Sequence, residues 1–375
     1  MSTRKLDITR KSGREDALSL KFSQRIIGQP KGTQALTDLI EMFESGFYDL
    51  TKPVGSALFL GPTGCGKTGA VEAFCEGLYG DPHKMMKVDC GEFQHSHEIA
   101  KLIGSPPGYL GHRETHPYFT NAALLAARSG PSKIVTNPGF APRTVEGPVL
   151  QPFTVILWDE IEKASDSVWN LLLGILDKGT LMTGTNEPVD FLPTIHIMTS
   201  NVGAAELAVK TGDAGIGFSP LGSEISQQEI EDTAMAAARR KFTPEFLNRI
   251  DKVVVFNTLT PDNVNDILSL ELNKLQDRVV LGSKQLFMIN VSPSAFRQIA
   301  KEGYNRRDNA RYLQRTIKLR VEQPIAKVLA TGQILPNDTI VVDYVEPQWD
   351  HECGEWGYYA QAPIARQNQE GGIFP

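Results

Sequence analysis

Gly61-Pro62-Thr63-Gly64-Cys65-Gly66-Lys67-Thr68 has the spacing Gly, four residues, Gly-Lys-Thr. This phosphate-loop pattern calls for a strand before it and a helix after it. Ser56-Ala57-Leu58-Phe59-Leu60 is apolar enough for the strand, and Gly69 to Tyr79 can run on as the helix. The glycines let backbone N–H groups turn inward around phosphates, at a helix N-terminus whose dipole already favours an anion. Lys67 would then reach the β and γ phosphates of a nucleoside triphosphate, and Thr68 would offer its hydroxyl to Mg²⁺. A second chemical group closes Phe153-Thr154-Val155-Ile156-Leu157-Trp158-Asp159-Glu160. Its unbroken apolar run reads as a buried, parallel strand. Ligands of open parallel sheets bind beyond the carboxyl ends of the strands, where Asp159 and Glu160 stand. Asp159 suits Mg²⁺ held through water, and Glu160 suits polarisation of an attacking water. Ile195-His196-Ile197-Met198-Thr199-Ser200-Asn201 is a further strand with a polar end. Asn201 there can contact the water or the γ-phosphate, or serve as a plain turn residue before Gly203.

The elements that must position these groups alternate between the two periods. Helical spacing runs through Gln34–Phe47, Asn121–Arg128, Ala164–Asp177 and Ser226–Lys241, and short strands are expected at Met85–Asp89 and Val253–Phe256. Together they predict an α/β domain over residues 23–257, a parallel sheet flanked by helices. Residues 129–150, rich in Pro and Gly, read as an inserted loop. Asn257-Thr258-Leu259-Thr260-Pro261 marks a domain boundary. The smaller domain, 258–345, is mainly helical with short strands at Phe287–Val291 and Thr339–Tyr344, and Pro324 is expected to interrupt its Asn309–Ala330 helix. Residues 1–22 read as a basic, flexible extension and 346–375 as an irregular tail, aromatic though the latter is.

Composition narrows the class. The 375 residues carry a net charge of −6 and are 41% hydrophobic, ordinary for a soluble globular chain, with no overall basic field to draw nucleic acid. Neither a signal peptide nor a membrane span is visible. The four cysteines show no metal or disulfide spacing, and Cys65 lies inside the phosphate loop, which points to a reducing compartment and a cytoplasmic protein. His95, His97, His112 and His116 have no recognised zinc spacing.

With these positions in hand, the chain resembles the AAA+ ATPases of the Clp family from about Arg25 to Tyr344, most closely the C-terminal ATPase module of ClpB, ClpA and ClpC. Asp159-Glu160-Ile161-Glu162-Lys163-Ala164 matches the Walker B stretch, Thr199-Ser200-Asn201 resembles sensor 1, and Pro244 to Asp251 resembles the box bearing the arginine finger, here Arg249. Asn309-Ala310-Arg311 falls where the family has Gly-Ala-Arg, the sensor 2 arginine. Arg25 to Gln29 is similar to the segment lining the adenine pocket, with Ile26 and Ile27 at its centre. Gly108-Tyr109-Leu110-Gly111 is similar to the pore loop that grips substrate. The resemblance implies ATP and Mg²⁺, a nucleotide held by Ile26, Ile27, residues 61–69 (Gly69 included) and Arg311, and metal contacts from Thr68 and Asp159. It also implies an Arg249 that acts on a neighbouring subunit of a ring, usually a hexamer, and polypeptide threaded past Tyr109 and Leu110.

Ile216-Gly217-Phe218 lies where peptidase-coupled members carry a docking tripeptide, so a compartmental peptidase is a candidate partner; a loop packed on its own domain is the alternative. The chain departs from the pattern at Asn309, in the long 129–150 segment, and in the second pore loop, Asp177 to Glu187, which lacks the usual arginines. Protein unfolding by threading is the leading expectation. An assembly ATPase serving one dedicated protein partner remains open, and a nucleic-acid motor has only the basic N-terminal arm in its favour.

Overall fold

β1, Gly55–Leu60, is apolar and buried along its whole length, so it must lie in a sheet covered on both faces. It does so in a computed structural model that describes residues 13–105, 116–130, 134–135, 143–144, 149–210, 227–282, 286–304, 310–346 and 354–361. Tyr109, Leu110, Ile216-Gly217-Phe218 and Asn309 lie outside the described residues. The other strands of the sheet are β2 (Met86–Asp89), β3 (Thr154–Asp159), β4 (Thr194–Ser200) and β5 (Lys252–Val255), all parallel in the order β5-β1-β4-β3-β2. Register then fixes the chemistry. Asp89 lies beside Asp159, and Met198 beside Trp158, so the residues after Met198 emerge at the same sheet end as Asp159 and Glu160.

The core of this unit is built from both faces of the sheet and from the helix Asp166–Lys178, whose Val168, Leu172, Ile175 and Leu176 are buried. His196 is wholly buried in β4. It accepts from Trp158 Nε1 through Nδ1 at 3.1 Å and pairs with Thr194 Oγ1 through Nε2 at 2.9 Å, which satisfies both ring nitrogens.

Four expectations need correction. The reading of residues 1–22 as a flexible extension fails from Gly13 onward, because Gly13–Arg25 is a helix. Leu18 and Phe22, four residues apart, share one buried face; Phe22 stacks on Phe74 at 6.5 Å, and Arg25 pairs with Glu76 at 2.5 Å. Within the 129–150 segment, expected as plain loop, Ser129–Gly130 pairs with Val149–Leu150 and Ile134–Val135 with Arg143–Thr144, both antiparallel. In the second unit the tail is not wholly irregular.

The chain divides at Asn257 and Thr258 into two compact units. The second holds the helices Pro261–Gly282, Pro293–Gly303, Arg311–Ile317 and Gln323–Ala330 and the strands β6 (Met288–Val291), β7 (Thr339–Val345) and β8 (Glu355–Gln361). β6 pairs parallel and β8 antiparallel with β7. The tail aromatics explain β8: Trp356 packs on Tyr344 at 5.0 Å and under the Arg320 guanidinium at 5.2 Å, and Tyr358 donates to the Arg320 carbonyl at 2.8 Å. Pro324 does not break the helical run. It sits in the first turn of Gln323–Ala330, after a wider π-helical turn over Lys318–Glu322. Among the described residues no helix is long and apolar enough to cross a membrane.

Candidate nucleotide site

The phosphate loop leaves the buried end of β1 and feeds the helix Lys67–Tyr79. Gly61, Gly64 and Gly66 have φ of 150°, 76° and 100°, backbone that side-chain-bearing residues rarely adopt. Lys67 is buried, and its ammonium curls back to donate to the carbonyls of Gly61 at 2.7 Å and Pro62 at 2.8 Å and to Asn201 Oδ1 at 3.0 Å. A buried ammonium resting on its own loop's carbonyls is a cation poised for a stronger acceptor, which fits a phosphate. Ile26 and Ile27 leave the Gly13–Arg25 helix half-buried, and the Ile26 Cδ1 atom lies 3.9 Å from where a Cβ on Gly69 would stand. The structure therefore brings Ile26 to the start of the phosphate-loop helix.

Asp159 ends β3 facing Thr68, whose hydroxyl donates to Asp159 Oδ1 at 3.3 Å. Thr199 donates to the same oxygen at 2.5 Å and accepts the Glu160 N–H at 3.1 Å, and the Lys87 ammonium pairs with Asp159 Oδ2 at 2.7 Å. Burial pushes the Asp159 carboxyl upward, but Lys87, Thr199 and Thr68 more than offset it and hold it below its ordinary value. A hydroxyl and an ionised carboxylate so close together are hard oxygen donors of the kind Mg²⁺ takes, and the site fits that ion.

Glu160 has φ 56° and ψ 49°, the left-handed region, unusual for a residue with a side chain. The turn swings its carboxylate away from the line of β3. Asn201 Nδ2 donates to Glu160 Oε1 at 3.2 Å, and the Asn201 N–H donates to Glu162 Oε1 at 3.1 Å. Lys67, Thr68, Asp159, Glu160 and Asn201 thus form one connected polar set. Thr199 and Lys87 belong to it too, and sequence reasoning missed the part each plays.

Arg249 is not in that set. It ends the short helix Pro244–Asn248 and lines a cleft of about 800 Å³ with Val54, Gly55 and Ser56, at the opening end of β1, where it pairs with Asp177 at 2.7 Å. The phosphate loop lies beyond the other end, and the rise of β1 between them is about 17 Å. Arg311 opens the helix Arg311–Ile317 of the second unit.

A five-stranded parallel sheet in the order 5-1-4-3-2, with a phosphate loop after β1 and carboxylates at the end of β3, defines a phosphate-loop nucleotide-binding protein. The family model described as the AAA domain (Cdc48 subfamily) matches residues 52–123 and 132–253, more than half of the chain, and that of the C-terminal, D2-small domain of ClpB protein matches residues 259–342. The chain belongs to the AAA ATPase family.

Among curated relatives, the ATP-binding subunit ClpC of the ATP-dependent Clp protease of Staphylococcus aureus (strain USA300) is 34% identical over 343 residues, 91% of this chain and 38% of that protein. ClpC of Staphylococcus epidermidis is 34% identical over 332 residues, 88% of this chain and 37% of the relative. The chain spans well under half the length of these relatives. Among solved structures, a closed-state reconstruction of Hsp104 with ATPγS and FITC casein superposes with a TM-score of 0.71 at 27% identity, covering 92% of this chain and 52% of the other. An extended Saccharomyces cerevisiae Hsp104:casein complex gives 0.72 at 28% identity, over 90% and 51%.

Proposed function

We propose that the chain is a ring-forming ATPase that spends ATP on unfolding or remodelling proteins by drawing them through an axial pore. The observation that carries the ATPase half is the continuous contact from Lys67 through Asn201 to Glu160, which joins a phosphate cation to a general base. In hydrolysis, Lys67 exchanges its loop carbonyls for phosphate oxygens, Asn201 and Glu160 orient the attacking water, and Glu160 accepts its proton. Thr68 and Asp159 hold Mg²⁺, which when bound neutralises charge on the phosphate oxygens. Arg249, too far along β1 to serve its own phosphate loop, serves a neighbour's, and an arginine in that role supplies about 10³–10⁵ in rate. Arg311 reads the nucleotide from the second unit.

A hexamer working on protein substrates in the cytoplasm is the assembly this reading favours, supported by relatives named for a Clp protease and by structural neighbours solved with casein. Tyr109 and Leu110, between glycines, are the substrate grip, and Ile216-Gly217-Phe218 is the candidate contact for a compartmental peptidase. The test is Tyr109→Ala assayed on a fluorescent unfolding substrate. ATPase activity should stay within about twofold while substrate unfolding is lost. Loss of both activities, or of neither, would count against threading.

A further inference from the structure

The Glu160 carboxylate is held from two sides. Oε1 accepts from Asn201, which is itself bonded to Lys67, so Oε1 lies toward the phosphate loop. Oε2 is taken by the Lys163 ammonium. That contact is built into the backbone. Ile161–Lys163 is a single 3₁₀ turn capped by Glu160 and closed by a hydrogen bond from the Lys163 N–H to the Glu160 carbonyl at 2.9 Å, which keeps the two residues on one turn. The Lys163 stem passes close to Gly91, its Cδ 3.9 Å from where a Cβ there would stand.

From this geometry we propose that Lys163 is a positioning residue for Glu160, its ammonium fixing the rotation of the carboxylate so that Oε1 is presented to the attacking water. The inference rests on the ATPase reading above. A carboxylate has about four acceptor positions, so Lys163 on Oε2 leaves Oε1 free to exchange Asn201 for water. Lys163 itself touches neither phosphate nor metal ligand in this arrangement. Its side chain is 48% exposed, and an ion pair that open would add little to folding, so a purely structural role predicts almost no effect of removing it. A positioning role predicts a loss in turnover, because small displacements of a reacting group cost up to about 10²-fold.

The experiment measures steady-state ATPase kinetics of the full chain as Lys163→Met, Lys163→Gln and Lys163→Arg. The two neutral variants should lose about tenfold in kcat with KM for ATP, fluorescent-nucleotide affinity, melting temperature and assembly size unchanged. Lys163→Arg should recover to within about threefold of the parent. Parental kcat in both neutral variants, or a loss that sits entirely in KM, overturns the proposal. Glu160→Gln is run alongside. If Glu160→Gln hydrolyses ATP at the parental rate, the assignment of the base has failed. If it is inactive while the neutral Lys163 variants turn over normally, only the role of Lys163 has failed.

Discussion

Lys67 donates to Asn201 Oδ1 at 3.0 Å, a single hydrogen bond that ties the phosphate loop to the carboxyl end of β4. The two residues should nevertheless fail differently when removed. Lys67→Ala deletes the cation that meets the phosphates, and nucleotide binding should disappear in a fluorescent-nucleotide titration. Asn201→Ala leaves that cation in place, so affinity should remain within about threefold while kcat falls about 10²-fold, the scale of one lost polar contact to the reacting atoms. Equal loss of affinity in both variants would assign Asn201 to binding alone.

Arg249 supplies a complementation test. Arg249→Ala and Lys67→Ala should each be inactive as pure proteins, with the arginine variant down about 10³-fold or more. Mixed and reassembled, they should regain a measurable fraction of parental ATPase, because some sites then pair an intact phosphate loop with an intact arginine. No recovery at any mixing ratio, with co-assembly shown by size-exclusion chromatography, would rule out action between subunits. The Asp177 carboxylate holds Arg249 in the isolated subunit, so Asp177→Asn should leave the complementation in place.

Burial pulls the His196 ring down to about 3 from an ordinary 6.5. Because the folded value is depressed, the unfolded chain binds a proton between those limits that the folded chain refuses. Stability from this residue is therefore full above pH 6.5 and falls with pH by about 1.4 kcal/mol per unit until about pH 3. His196→Gln keeps an acceptor for Trp158 Nε1 and removes the titration. Urea unfolding should show the parent losing about 2 kcal/mol more than the variant between pH 7 and 5. Parallel losses would mean that the ring takes up its proton as readily in the fold as in the unfolded chain.

Gly184 sits in the turn joining the antiparallel pair Thr180–Met182 and Pro188–Asp190, and its N–H donates to the Ile103 carbonyl at 2.7 Å. A Cβ there would stand 2.5 Å from the Gly104 carbonyl oxygen, backbone against backbone. Gly184→Ala should cost about 1–3 kcal/mol by overpacking. It should raise hydrogen exchange at residues 100–105 and 180–190 while ATPase stays within about threefold. Unchanged exchange at both segments would show that the two turns are not tied at this point.

Contiguous motifs were readable because their spacing is itself the geometry: residues 61–68 join β1 to a helix, and Asp159-Glu160 and Asn201 stand at the carboxyl ends of β3 and β4. Thr199, Lys87 and Lys163 were not readable, since each acts through a relationship that composition cannot carry. Thr199 meets Asp159 only because β4 pairs with β3 in the register that sets Met198 beside Trp158. Lys87 depends on β2 being the outermost strand with Lys87 on its exposed side. The missed helix over Gly13–Arg25 hid its Leu18 and Phe22 face among charges, two of which, Lys21 and Arg25, are spent on Glu76. β8 hid because Tyr359 stands exposed between residues whose partners lie on β7 and at Arg320.

β1 gives the subunit two unlike ends, a phosphate loop after Leu60 and Arg249 beside Gly55. A twofold dimer joins one surface patch to its own copy, and no single patch at either end of β1 holds both groups. On the proposed role of Arg249, head-to-tail association completes the site, and such an interface either closes by rotation or runs on as a helix. The count of working sites then reports closure directly. A closed assembly of n subunits has n of them, and one with a gap has n − 1, its terminal phosphate loop holding nucleotide without an arginine to finish the reaction.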